Sequence, residues 1–182
     1  MLSLIVLLEF NSKSANTINI RPNNTFLLAG GMMAQMQSKI RWISKLAYQG
    51  ESRGHRVIMD AKKESGGQDL GMSPKEMVLT GLCGCSGMDV ISLLTSKFKL
   101  SVTLCEVHAD ATSSEGGHPV VWTQIHLKFI IQGEVPNEQA IKAVELSMTR
   151  YCGVSAMLSK ACPINYTIEL NSQPIHSGTA HF

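Results

Sequence analysis

The stretch Ser73-Pro74-Lys75-Glu76-Met77-Val78-Leu79-Thr80-Gly81-Leu82-Cys83-Gly84-Cys85-Ser86-Gly87-Met88-Asp89-Val90 decides the reading of this 182-residue chain. Ser73 before Pro74, with Glu76 three residues on, is a capping box: the Ser hydroxyl and the Glu carboxylate satisfy each other's backbone N–H groups at a helix start. The apolar run behind it predicts a helix to about Lys97, a rod of about 37 Å at 1.5 Å per residue, longer than a small domain's core. Such a helix is expected to be central and buried. Gly81, Gly84 and Gly87 lie within it at a spacing of three, although each weakens a helix by up to about 1 kcal/mol relative to Ala. They form one bare, slanting stripe where another backbone can approach, or else they mark a break in the helix.

Outward from this helix, Ser38 to Ala47 and Arg56 to Ala61 read as a β-hairpin joined by a loop over Gln49 to His55. Lys62 to Met72 reads as an exposed connection. Leu100 to Thr112 and Val120 to Gln132 alternate apolar and polar residues around a Ser113 to Pro119 turn, a long antiparallel hairpin. A second helix opens at Pro136-Asn137, with Asn137 as its cap and Ile141, Val144 and Met148 buried. The pattern falters at Tyr151-Cys152-Gly153-Val154, where a further helical piece starts and runs to Lys160. Ile164 to Leu170 is a strand, and residues 172–182 read as a loose tail. The order β-β-α-β-β-α-α-β predicts an α+β fold with helices against antiparallel sheet. Residues 1–35 read as an extension or a misplaced start ahead of a domain spanning 36–171. Their apolar run, Leu4 to Leu8, lacks a preceding cation and a cleavage site, and is far shorter than the roughly 20 residues of a membrane span.

Composition narrows the chemistry. Sixteen Lys and Arg against fourteen Asp and Glu leave a net charge of +2, too little for an electrostatic footprint on nucleic acid or an anionic membrane. A domain of this size buries enough surface to stand without staples. Five cysteines, an odd number without an export signal, therefore point to reduced cytoplasmic thiols. No nucleotide-binding glycine loop, nucleophile elbow or zinc-spaced CxxC pair is present. His108, Asp110, His118 and His126 share one hairpin without a defined ligand spacing, so they read as solvated, with no metal expected. The ten methionines read as core filler. Cys85, among glycines that leave room beside its sulfur, and Cys152, where unpaired helical N–H groups favour a thiolate and a good leaving group, stand apart from Cys83, Cys105 and Cys162.

The first motif, Ser73 to Met77 followed by Gly84-Cys85-Ser86-Gly87-Met88-Asp89-Val90, and the second, Tyr151-Cys152-Gly153-Val154-Ser155, resemble the two signature regions of the OsmC/Ohr family of thiol peroxidases. The run from Met36 to Leu170 looks most like its YhfA-like branch. The resemblance implies an intertwined homodimer with two long central helices between sheets and sites at the subunit interface. It implies reduction of organic hydroperoxides or hydrogen peroxide without a cofactor: Cys85 as the peroxidatic thiolate, Cys152 as its resolving partner in a Cys85–Cys152 disulfide, and an external dithiol as reductant. The activating cation matches Arg53 best, with Arg56 in reserve, held by the helix carboxylate Glu76. The motif departs from peroxidase members at one point: they carry Glu directly after the Pro, where this chain has Lys75. One position turns a helix by about 100°, which leaves two alternatives for Glu76, holding Arg53 or serving only the cap. Cys83 reads as packing, and Cys162 as a second resolving candidate. The rival functions are a non-catalytic dimer that binds an apolar or thiol-reactive small molecule, and a structural protein with inert thiols.

Overall fold

The structure, a computed structural model, describes residues 35–182, so nearly all of the 1–35 extension lies outside the described residues. Gln37–Phe182 forms one compact unit. Its first element is a three-stranded antiparallel sheet, β1 (Lys39–Ser44), β2 (Ala47–Ser52) and β3 (His55–Met59). The segment expected to be a loop is thus largely a strand. Its residues Gln49-Gly50-Glu51 carry no β pattern, and the connection to β3 is the two-residue turn Arg53-Gly54, both at positive φ. Arg is an unusual first residue for such a turn, which favours Asn, Asp or Gly, so the turn signal is hidden.

Asp60 closes this sheet onto the next loop. Its carboxylate is buried and accepts from the backbone N–H groups of Ala61, Gln68 and Leu70. The loop ends at Ser73, where the expected capping box is formed in both directions.

From that cap, α1 (Pro74–Ile91) runs unbroken through Gly81, Gly84 and Gly87 and continues as a π-helical segment, Ser92–Lys97. The alternative of a helix break at the glycines is excluded. The whole rod, Pro74–Lys97, is long and apolar enough to cross a bilayer, yet its Leu82, Val90, Leu93 and Leu94 join the hydrophobic core. The expectation of a buried helix holds for this one stripe. Val78 and Met88 are exposed within the chain, Met88 at 66%.

The second sheet has the order β4-β5-β6-β7, from β4 (Ser101–Ser113), β5 (Trp122–Glu134), β6 (Ile164–Leu170) and β7 (Gln173–Thr179). Between β5 and β6 lie α2 (Asn137–Leu146), a π segment (Ser147–Tyr151) and α3 (Gly153–Leu158). This helical crossover makes β5 and β6 a parallel pair, and the other pairings are antiparallel, as a crossover connection requires. Pro136, not Asn137, occupies the cap position of α2, without a side-chain hydrogen bond. Ile125, Leu127, Phe129 and Ile131 alternate inward on β5 beside Ile164, Tyr166, Ile168 and Leu170 on β6. The opposite face is polar and carries the Lys128–Glu169 ion pair at 2.8 Å.

The loose tail is corrected as well. β7 follows a two-residue turn, Asn171-Ser172, with both residues at positive φ, and Pro174 and Gly178 dilute its pattern as on many edge strands. Gly178 is there for space: a Cβ would stand 2.5 Å from the Tyr166 hydroxyl.

Candidate functional site: a dithiol between two helices

Cys85 lies in the middle of α1, half-buried, and Cys152 is fully buried at the cap of α3. Both are free thiols, and they lie close enough together for Cys85 to raise the thiol of Cys152. The fold achieves this by laying α3 and the π segment before it against α1. Three serines are buried around the pair: Ser86, Ser147 and Ser155. The Ser155 N–H donates to the Cys152 sulfur at 3.3 Å.

The local electrostatics run against one expectation. Burial pushes the Cys152 thiol up, the Ser155 hydrogen bonds pull it down, and the neighbouring Cys85 pushes it up again, for a net rise. Cys152 is therefore a protonated thiol at neutral pH in the reduced protein, in place of the favoured thiolate and good leaving group. A six-residue helix start does not outweigh the loss of hydration. Burial likewise raises the thiols of Cys83, Cys105 and Cys162.

A prediction follows from the sign of these shifts. A group whose value is raised on folding adds stability below its unfolded value, which is lost as pH climbs through the folded one. The reduced protein should hold its guanidinium midpoint up to about pH 9, near the ordinary thiol value, and lose stability above it. Cys152→Ala should flatten that alkaline slope.

The remaining cysteines are separate. Cys162 belongs to the hydrophobic core, and Cys85 is the thiol beside Cys152. Cys83 and Cys105 line an apolar groove of about 390 Å³ between α1 and β4, together with Gly84, Gly87 and Met88. Gly87 has an intrachain reason to be bare, since a Cβ there would sit 3.2 Å from Val107, whereas Gly81 and Gly84 face open space.

Within one chain the structure does not bring Arg53, Arg56 or Glu76 to Cys85. Arg53 occupies the exposed β2–β3 turn and makes none of the ion pairs among the described residues, while Arg56 is paired with Glu51 at 3.4 Å. Glu76 accepts from the Ser73 N–H at 2.7 Å and has Lys62 at 3.9 Å. Backbone and side-chain hydrogen bonds from Ser73 hold its carboxyl below the usual range, with Lys62 adding to the effect. Lys75, at the position of the family's Glu, ties the helix start to the β5 entry. Its amine donates to the Val120 carbonyl at 3.0 Å and lies 5.6 Å from the Trp122 ring centre. No cluster of three or more His, Cys, Asp or Glu suited to a metal occurs among the described residues.

Asp89 and Ser147 join the site without having stood out in the sequence. The Ser147 hydroxyl donates to the Asp89 carboxylate at 3.0 Å, and burial raises the Asp89 carboxyl against the lowering effect of that bond. A carboxylate one turn beyond a cysteine, on an otherwise apolar stretch of helix, was the available signal.

A three-stranded sheet, a long helix bearing Cys85 at its middle and Cys152 brought to it at a later helix start define the OsmC-like class. The family model for OsmC-like protein matches residues 66–167, and the chain belongs to that family. It is 39% identical to protein YhfA of Escherichia coli K12 over 137 residues, which cover 74% of this chain and 98% of YhfA. Among solved structures it resembles a hypothetical protein from Aquifex aeolicus, at 23% identity and TM-score 0.68 over 76% of this chain and 98% of that one. It also resembles an organic hydroperoxide resistance protein, OsmC, from Legionella pneumophila, at 12% identity and TM-score 0.57 over 77% and 98% of the two chains.

Proposed function

We propose that the protein is a cytoplasmic, cofactor-free, thiol-dependent reductase of organic hydroperoxides or hydrogen peroxide, working as a homodimer. The observation that supports it best is the facing pair Cys85 and Cys152, one thiol half-accessible and the other sealed behind it. The Cys85 thiolate attacks the distal peroxide oxygen; the O–O bond breaks, alcohol or water leaves, and sulfur becomes a sulfenic acid. Cys152 then attacks that sulfur. An S–S bond forms, the S–O bond breaks, and the departing oxygen leaves as water with the proton of the Cys152 thiol. An external dithiol attacks the disulfide and is itself oxidised as the two thiols return. The association of the family with hydroperoxide resistance, borne by the name of the Legionella protein, agrees with this chemistry.

The dimer completes the site. Ile40 and Trp42, each 61% exposed on β1, and Val78 and Met88 on α1 leave apolar surface uncovered in one chain. A second copy covers it and brings its β2–β3 turn toward the dithiol. Arg53, which makes no ion pair among the described residues, is then the cation that keeps Cys85 ionised, a task suited to a side chain that stays charged and can fork between a thiolate and a peroxide oxygen. Arg53→Gln should lower the rate of peroxide reaction at pH 7 on the order of 100-fold, the scale of removing one preorganised donor. Arg56→Gln should leave it nearly unchanged. Stopped-flow consumption of cumene hydroperoxide reads both.

One equivalent of cumene hydroperoxide should remove two titratable thiols and yield a Cys85–Cys152 linked peptide, and excess peroxide should turn over with a dithiol present. No thiol loss would overturn the proposal. A second reading, a dimer that binds an apolar or thiol-reactive molecule without turnover, is favoured by the engagement of Glu76 in its cap. It predicts ligand-dependent melting with no peroxide consumed.

A further inference from the structure

The buried polar groups around the dithiol form a chain that crosses from one helix to the other. On α1, Asp89 lies one turn beyond Cys85 and Ser86 lies next to it. The Ser147 hydroxyl, fully buried, donates to Asp89 Oδ2 at 3.0 Å and also lies 3.4 Å from the Ser86 carbonyl. The Ser147 carbonyl in turn accepts from the Cys152 N–H at 3.0 Å, a five-residue span that makes this segment a π turn. The same serine is thus anchored to α1 by its side chain and holds Cys152 by its backbone. π turns inside helices are often retained where they aim a functional group.

We infer that Asp89 and Ser147 form a positioning pair for closure, which fixes the turn carrying Cys152 so that its sulfur meets Cys85. Asp89 is a positioning residue, since it acts on the thiols through Ser147. What closure needs from Asp89 is an oxygen that accepts the Ser147 hydroxyl, and a carboxamide supplies one as well as a carboxylate does. The burial that raises the Asp89 carboxyl fits this: the site is built around the hydrogen bond and tolerates the charge. A group raised on folding loses stability as pH climbs through its folded value, so Asp89→Asn should not lower, and should modestly raise, the denaturation midpoint at pH 7.

The inference rests on the proposed Cys85–Cys152 closure, and it is tested without peroxide. A chromogenic aromatic disulfide caps Cys85 and releases one aryl thiolate. Cys152 then attacks the Cys85 sulfur, displaces a second aryl thiolate as its own proton passes to solvent, and forms the intramolecular disulfide. Digestion and mass spectrometry of the full chain over time separate the capped Cys85 peptide from the Cys85–Cys152 linked peptide, apart from Cys83, Cys105 and Cys162. Ser147→Ala and Asp89→Ala should leave capping within about twofold of the parent rate and slow closure about tenfold or more, as misplacement on the ångström scale does. Asp89→Asn should restore closure to near the parent rate. A merely structural role would not split the two steps in this way. Parent-rate closure in Ser147→Ala, or an Asp89→Asn variant as slow as Asp89→Ala, would overturn the inference. If Asp89→Ala does not fold, Ser147→Ala and Asp89→Asn still decide it. Closure that depends on Asp89 and Ser147 in a protein that consumes no hydroperoxide would sink the peroxidase reading and leave the positioning pair standing.

Discussion

Cys85→Ser should abolish peroxide consumption, lowering the dithiol-dependent rate by about three orders of magnitude or more, because deleting the nucleophile removes the reacting atom itself. A hydroxyl at this position is not ionised near neutral pH and is a far weaker nucleophile than a thiolate. Cys152→Ser should behave differently. Its Cys85 can still attack peroxide, so one thiol is consumed in a single turnover. The sulfenic acid then has no partner, persists, and with further peroxide passes to sulfinic acid, which dithiols do not reverse. Cys162→Ser should retain both the disulfide and turnover, since Cys162 sits in the hydrophobic core and Cys152 is the thiol beside Cys85. Coupled assays of peroxide loss, with intact mass after one equivalent, separate the three outcomes. Full activity in Cys85→Ser would end the proposed mechanism.

These roles were legible to different degrees, and the reasons are physical. The capping box at Ser73 and Glu76 is local chemistry, so the start of α1 is legible in the residues themselves. The two hairpin turns were illegible for an equally local reason. Arg53-Gly54 and Asn171-Ser172 place side chains at positive φ where Asn-Gly or Asp-Gly would have announced a turn. Two polar strands, β2 and β7, therefore read from sequence as loop and tail. The acidity of Cys152 was misjudged because a helix start is visible in sequence and burial is not. Asp89 and Ser147 are 58 residues apart, and only the crossover from β5 through α2 to β6 brings them together. The glycine stripe had a mixed fate: Gly87 is explained by Val107 within the chain, and Gly81 and Gly84 are not.

That remainder yields the second large effect expected. Gly84→Glu should raise the stability of the folded single chain while destroying the dimer. A Cβ at Gly84 meets nothing within 4 Å, so the core is untouched, and exchanging Gly for a good helix former inside α1 favours the helix by up to about 1 kcal/mol. The same carboxylate would stand in the apolar groove between α1 and β4, beside Gly87 and Met88. If a second copy closes that groove, an unpaired charge is buried at the interface, and leaving such a charge without a partner costs about 3–5 kcal/mol. A cost of that size weakens association by about two to four orders of magnitude. The variant should therefore sediment at the single-chain mass of 19.8 kDa, where the proposed dimer would sediment at twice that, and should react slowly with peroxide because Arg53 of a second copy would no longer be delivered. Addition of a small guanidinium compound should restore part of that rate, since the dithiol itself remains assembled. A Gly84→Glu protein that keeps the parent's mass and activity would mean that the stripe faces water and that the cation for Cys85 comes from its own chain.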